Sequence, residues 1–470
     1  MVFYTQNTIT EEQPMDKARK PRQLRPRAKS LPECLREFLT PSVFRQVRKA
    51  AGSRKKPRWD IQPLLMILLT ITWCSGDSLP EKFEAARGFY VVSHSKRRRP
   101  GKTAQGFQQA VKKLPMPVFR TLAAEIRGRI EKLFGDRLLV DGFIPLGCDG
   151  SRLECPRSEE LEQRLGQSSN KDEVNKKDAA PTLWLTALVH LGNGVPWAWR
   201  FGKGGKASER DHLRRMLHLL PKLALVVTDA GYYGYDLILA LTRAKVRYLL
   251  RMSTNVKLYS EHTIVMEKFR EGIVYYWPEA VQKKGGEPIR ARLIRVRGRK
   301  KKHDVWLLTN IMEPSRLPHK TAARLYRWRW ESEGYFRTYK RTLNKVKLMS
   351  RTLRWVHREA EASMIATQLL LAQGALAMPE PRRADELIIC SPRAVLLEIR
   401  RDMRQGSPRP DKRSFRERLS QLRRERRSRK TPKENRPWPR RKPHKPPGPP
   451  QILTLTEAQK HLLSQCQTAA

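Results

Sequence analysis

Two aspartates stand where a charge is expensive. Asp149 lies in the run RLLVDGFIPLGCDG and Asp229 closes the apolar stretch LALVVT. An ionised carboxylate in such a setting is costly unless it is paired or holds a cation, so two of them point to a cation site. Either one alone also reads as a turn residue or a helix N-cap. A third candidate lies in RLYRWRWESEGYFRTYKRTLNKVK, residues 324–347. At about 100° per residue on a single helix, Tyr326, Arg329, Glu333 and Lys340 fall on one stripe roughly 60° wide. Leu325, Trp328, Tyr335, Phe336, Tyr339, Leu343 and Val346 form the core-facing sector. Arg327, Arg337, Arg341 and Lys345 form a basic flank. Glu331 points elsewhere on that wheel, which leaves Glu333 as the better metal ligand. The same pattern also fits an amphipathic helix with a solvated flank, Glu333 pairing with Arg329 or Arg337. Spacing alone leaves both readings open.

The elements that would position these residues follow from periodicity. Residues 31–135 are helical in pattern, with an apolar run IQPLLMILLTITWC opened by Asp60 as N-cap. That run is too short to span a bilayer and reads as a buried helix. At about residue 137 the pattern turns strand-like. TLWLTALVHL and VPWAWRF follow, joined by Gly192-Asn193-Gly194, a strong hairpin signal. A helix at about 207–220 leads to the strand that ends at Asp229, then to a helix at 236–244 and a strand at 247–252. Alternating runs between about 254 and 304 predict an inserted β-rich subdomain, DVWLLTN a final strand, and 319–378 helices. The fold expected is a mixed α/β (α+β) sheet flanked by helices, in the order of a ribonuclease-H-like core. A flexible basic arm (1–30) and a helical domain (31–135) precede this core, which occupies 137–378. Residues 379–470, rich in Arg, Lys and Pro, are expected to be largely disordered.

Composition supplies the partner. The chain has 96 Lys+Arg against 46 Asp+Glu, a formal net charge of +50 on 470 residues. That excess points to a polyanion, most commonly nucleic acid, whose phosphates release counterions when neutralised. Six cysteines without a C-x-x-C pair argue against a zinc site or a disulfide framework. The N-terminus lacks the pattern of a secretory signal, so the protein is expected to stay in the compartment where it is made. A basic nucleic-acid-binding protein would need no carboxylate triad, whereas a nuclease or junction resolvase would need the triad but not the stripe.

The spacing Tyr326, two residues, Arg329, three residues, Glu333, six residues, Lys340 resembles the YREK signature of bacterial insertion-sequence transposases with a DDE core. CDGSRLECP and TDAGYYG resemble that family's first- and second-aspartate segments, and the resemblance covers roughly residues 60–375. It implies that Asp149, Asp229 and Glu333 are the catalytic metal ligands. They would hold two Mg²⁺ ions, for which Mn²⁺ could substitute, for in-line phosphodiester displacement. It further implies that Arg329 and Lys340 hold phosphates and Tyr326 a terminal nucleotide, with Arg337 and Lys347 as general backbone contacts. The partners implied are double-stranded DNA, both terminal inverted repeats and target, and a second copy of the chain in a synaptic complex. The setting implied is the bacterial cytoplasm, at the nucleoid.

Overall fold

A computed structural model describes residues 29–52, 59–166, 180–204, 208–298, 303–379, 386–387, 389–405, 413–422, 424 and 448–468. The basic arm expected over 1–30 lies almost wholly outside them. Six helices come first: α1 (Leu31–Arg36), α2 (Pro41–Ala51), α3 (Ile61–Ile71), α4 (Leu79–Ser93), α5 (Ala104–Lys112) and α6 (Met116–Phe134). Their starts follow capping chemistry. Thr40, Ser78 and Thr103 accept hydrogen bonds from backbone N–H groups of the first turns of α2, α4 and α5. Asp60 caps α3 through the Ile61 N–H at 2.8 Å. α3 is buried on nearly every face, as its unbroken apolar sequence requires.

Next come β1 (Ile144–Glu154), α7 (Glu159–Leu165), β2 (Thr182–His190), β3 (Pro196–Lys203), α8 (Glu209–Arg214), β4 (Ala224–Thr228), α9 (Tyr235–Arg243) and β5 (Arg247–Arg251). β6 (Lys257–Ser260), β7 (Glu271–Tyr276), α10 (Glu279–Gln282), β8 (Ile289–Val296) and β9 (Val305–Thr309) follow. The described chain ends with α11 (His319–Trp328), α12 (Trp330–Arg337), α13 (Leu353–Ala377), α14 (Pro392–Gln405), α15 (Phe415–Ser420), β10 (Gln451–Thr454) and α16 (Glu457–Thr468). The strands form one sheet in the order β10-β6-β7-β8-β9-β5-β4-β1-β2-β3. β1, β2 and β3 run antiparallel through the hairpin at 192–194, and β4 and β5 lie parallel to β1. The strands expected as an insertion continue this sheet through β9. This is the mixed α/β fold with a ribonuclease-H-like order that the pattern predicts.

α13 is the spine. Ala360, Ala362, Met364, Ile365, Ala366, Leu369 and Leu370 are buried along it, and it packs against α3, α5, α6, β3, α14 and α15. Polar side chains stitch it to both sides. Gln368 donates to the Pro196 carbonyl at 2.8 Å, and the Trp73 indole donates to the Ala366 carbonyl at 3.2 Å. One continuous hydrophobic core therefore runs from Leu31 through the sheet to Leu419, so the N-terminal helices share a core with the sheet rather than forming a separate one.

The tail expectation needs correcting. Val395, Leu396 and Ile399 of α14 and Phe415 and Leu419 of α15 are buried. Arg418 bridges Glu398 at 2.6 Å and Asp402 at 2.7 Å. Sparse apolar residues at helical spacing dock on a core built elsewhere, which local composition cannot reveal. The stretch 425–447, richest in Arg and Pro, lies outside the described residues.

Candidate active site

The entry to β1 is set by a tight turn. Asp141 and Gly142 both have positive φ, at 50° and 79°, and Val140 bridges Phe143 across them. The Asp141 carboxylate then accepts from Thr321 Oγ1 at 2.7 Å and pairs with Arg324, which fixes α11 against the start of the strand. Further along, α12 comes close to β1 because Gly147 has no side chain: a Cβ there would stand 2.5 Å from Ser332 Oγ. Ser332 itself is fully buried. This close approach carries Glu333, the next residue, to the strand that bears Asp149.

Asp149 pairs across the ladder with Ala187 of β2, and Asp229 follows β4, the parallel neighbour of β1. Asp229 also caps the short turn after β4, accepting from the Gly231 N–H at 2.8 Å. Burial, with Asp229 and Glu333 adding to it and the Gly150 N–H and Arg329 opposing it, raises the Asp149 carboxyl to about 6. Burial likewise raises Glu333, with Arg329 and Arg337 pulling down and Asp229 pushing up. The three carboxylates thus feel one another, and Arg329 stands 3.8 Å from Glu333. Among the described residues no three His, Cys, Asp or Glu side chains already converge on one metal point.

Around these acids lie buried polar atoms that make no well-aligned hydrogen bond: Tyr326 Oη, Arg329 Nε, Arg251 Nε, Ser332 Oγ and Thr228 Oγ1. Such atoms are uncommon in folded proteins and call for an explanation, such as a group that arrives later. The Tyr326 phenol is raised by burial, with Arg251 and Arg329 beside it. Arg329 lies over the exposed indole of Trp330, 4.7 Å from the ring centroid. Hard oxygen donors from three carboxylates suit Mg²⁺ or Mn²⁺, and the mutual repulsion at Asp149 is what a divalent cation would relieve. The chemistry of the donor set therefore fits such an ion.

Residues 148–369 match the profile of the transposase DDE domain. This segment is a transposase DDE domain. Transposases of this family bind DNA, and the sheet and acids described above lie largely inside the matched span of the domain. No curated protein matches the chain at a significant level.

The single helix expected over 324–347 is broken in the transposase domain. α11 ends at Trp328, α12 at Arg337, and residues 338–342 form a π-turn. The 3.6-residue wheel fails beyond that point. Lys340 lies within electrostatic reach of Glu154 and Arg152, toward the end of β1 beyond Asp149. Lys347 pairs with that same end through a bridge to Glu154. Two outlying placements on the wheel also change: Val346 is exposed, and Lys345, expected on the basic surface, is buried against Glu359 at 2.9 Å. Tyr326, Arg329 and Glu333 stay together at the acids, and Arg337 is near Glu333. Arg251 was missed because it ends an ordinary strand, RYLLR; only the ladder to β4 carries it beside Tyr326.

Two cavities lie away from the acids. One of about 530 Å³ opens between α3, α4 and residues 343–352. One of about 930 Å³ opens between α6, β3 and α13.

Proposed function

We propose that the protein cleaves DNA at the ends of its element and joins those ends to target DNA, in a cut-and-paste reaction dependent on divalent metal. The observation that carries this reading is the group of neighbouring carboxylates at Asp149, Asp229 and Glu333, only partly offset by Arg329 and edged by buried donor atoms of Tyr326, Arg329 and Arg251 that lack a well-aligned hydrogen bond. Asp149, with a neighbouring acid on each side, would hold both of two Mg²⁺ ions, while Asp229 and Glu333 would each complete one. Bound there, the ions would activate the attacking oxygen and stabilise the leaving oxygen of an in-line displacement.

The chain's own cations do the rest. Arg329, held under Trp330 with Nε free, presents its fork to a phosphate beside the scissile bond. Arg251 and the Tyr326 hydroxyl offer donors on the β5 side, and Arg337 a further charge on α12. Lys340 and Lys347, at the other end of β1, hold backbone farther along the duplex. A synaptic dimer, with each copy gripping one inverted repeat, is the assembly this reading implies, acting on chromosomal DNA in the bacterial cytoplasm.

The test is Mg²⁺-dependent cleavage and strand transfer on duplexes carrying the sequences that flank the protein's own gene. Asp149→Ala, Asp229→Ala and Glu333→Ala are each expected to lower cleavage by about 10³-fold or more while DNA binding survives. Cleavage that persists in the three variants would remove the acids from the mechanism. Cleavage without preference for the ends would favour a nuclease of the same fold.

A further inference from the structure

A fourth carboxylate lies near Asp149 and Asp229. Glu209 opens α8, on the connection between β3 and β4, and no spacing in the sequence singles it out. Its carboxylate packs directly on Gly150, where a Cβ would overlap Oε1. Asp149 and Asp229 both lie within its electrostatic reach.

Neither capping nor an ion pair explains its place. Ser208 caps α8, accepting from the Asp211 N–H at 3.3 Å, so the Glu209 carboxylate is not needed there. Among the described residues no Lys or Arg forms an ion pair with it. Behind it sits Tyr232, 1 % exposed, whose hydroxyl is directed toward Glu209 and Cys148 but makes no well-aligned hydrogen bond. A buried phenol aimed at a half-buried carboxylate, which abuts a glycine next to Asp149, is a costly arrangement to keep without a return.

We infer that Glu209 is a fourth oxygen donor of the active site, helping Asp149 hold the divalent cation, with Gly150 leaving the space and Tyr232 aiming the carboxylate. The inference rests on the metal-dependent reading above. Gly150 admits Glu209 on one side of the chain while the neighbouring residue supplies Asp149, so β1 serves both carboxylates within one dipeptide.

The experiment titrates MgCl₂ into the full-length protein and follows thermal unfolding without DNA, then cleavage of the flanking-end duplex. Wild type, Glu209→Gln and Asp149→Asn are compared. The Mg²⁺ concentration giving half the effect should rise by about tenfold or more in Glu209→Gln in both assays, with DNA binding in EDTA unchanged. Asp149→Asn should lose the response. Gly150→Ala, which displaces Glu209, should reproduce the shift, and adding it to Glu209→Ala should shift nothing further. A wild-type Mg²⁺ dependence in Glu209→Gln, or additive shifts in the double variant, would overturn the inference while leaving the triad standing. If the wild type itself shows no Mg²⁺ response in either assay, the metal reading fails and this inference falls with it.

Discussion

Asp149 pays for its position before any substrate arrives. A carboxyl raised to about 6 from an ordinary value near 3.8 binds a proton more readily in the folded than in the unfolded chain. Its folded-state penalty is therefore complete above about pH 6 and disappears as the pH falls toward 4. In chelator-treated buffer at pH 7.5, Asp149→Asn should raise stability by about 1–3 kcal/mol while abolishing cleavage. The gain should vanish by pH 4, as thermal unfolding across pH would show. Equal pH profiles for the two proteins would mean that Asp149 is better solvated than its burial indicates. Arg329 is a second residue-scale test. Its planar fork stands 3.8 Å from Glu333 with Nε making no well-aligned hydrogen bond, so Arg329→Lys keeps the charge but loses the geometry. Cleavage should fall by about tenfold or more with little change in duplex affinity, a split that a merely stabilising Arg would not give.

Elements hold these residues by close approach and by one buried anchor. Gly147→Ala would drive a methyl into Ser332 Oγ and Leu191. α12 must then retreat from β1, at a cost of about 1–3 kcal/mol, and Glu333 retreats with it. Cleavage should drop more than stability alone predicts. Glu359 anchors the chain after the π-turn: it accepts from Lys345 Nζ at 2.9 Å, the Met349 N–H at 3.0 Å and Ser350 Oγ at 2.6 Å. Burial alone would raise this carboxyl, but Lys345 and those hydrogen bonds outweigh it and hold it below the usual range. A depressed carboxyl contributes stability above its unfolded value and loses it as pH falls through the folded one. Glu359→Gln should therefore destabilise at neutral pH by about 3 kcal/mol and approach wild type in strong acid. A constant difference at every pH would mean packing rather than charge.

For the whole molecule, net charge and the shared core set what to expect. With +50 to neutralise, duplex affinity should fall steeply between 50 and 200 mM salt, by about 10³-fold or more for six or more phosphate contacts. Filter binding at several salt concentrations measures that slope; a flat one would count against backbone contact as the main source of affinity. The same scale decides the role of the C-terminal segment. Phe415 is fully buried in a core that includes α13, so Phe415→Ala should cost about 3–5 kcal/mol. A loss below about 1 kcal/mol in thermal or denaturant unfolding would make α15 an appendage.

Periodicity and breaks in it are local properties, and they were enough for the helical start, the 192–194 hairpin, the strand that ends before Asp229 and the mixed sheet. The two aspartates stood out because a carboxylate in an apolar stretch is expensive wherever it lies, whereas Glu333 was set apart from Glu331 only by helical spacing and by the resemblance to the YREK signature. Local sequence could not give the break in the 324–347 helix, since the turn at Arg329 and the π-turn after Arg337 depend on packing against β1 and α13. It could not place Lys340 or Lys347, whose positions follow from that break. Nor could it find Arg251 or Glu209: each is unremarkable in its own segment and gains meaning only when ladder pairing brings Arg251 beside Tyr326 and a side-chain-free Gly150 admits Glu209 next to Asp149. Charge and hydrophobic pattern are fixed by the order of residues. Which buried polar atoms face one another without partners is decided only when distant segments share a core.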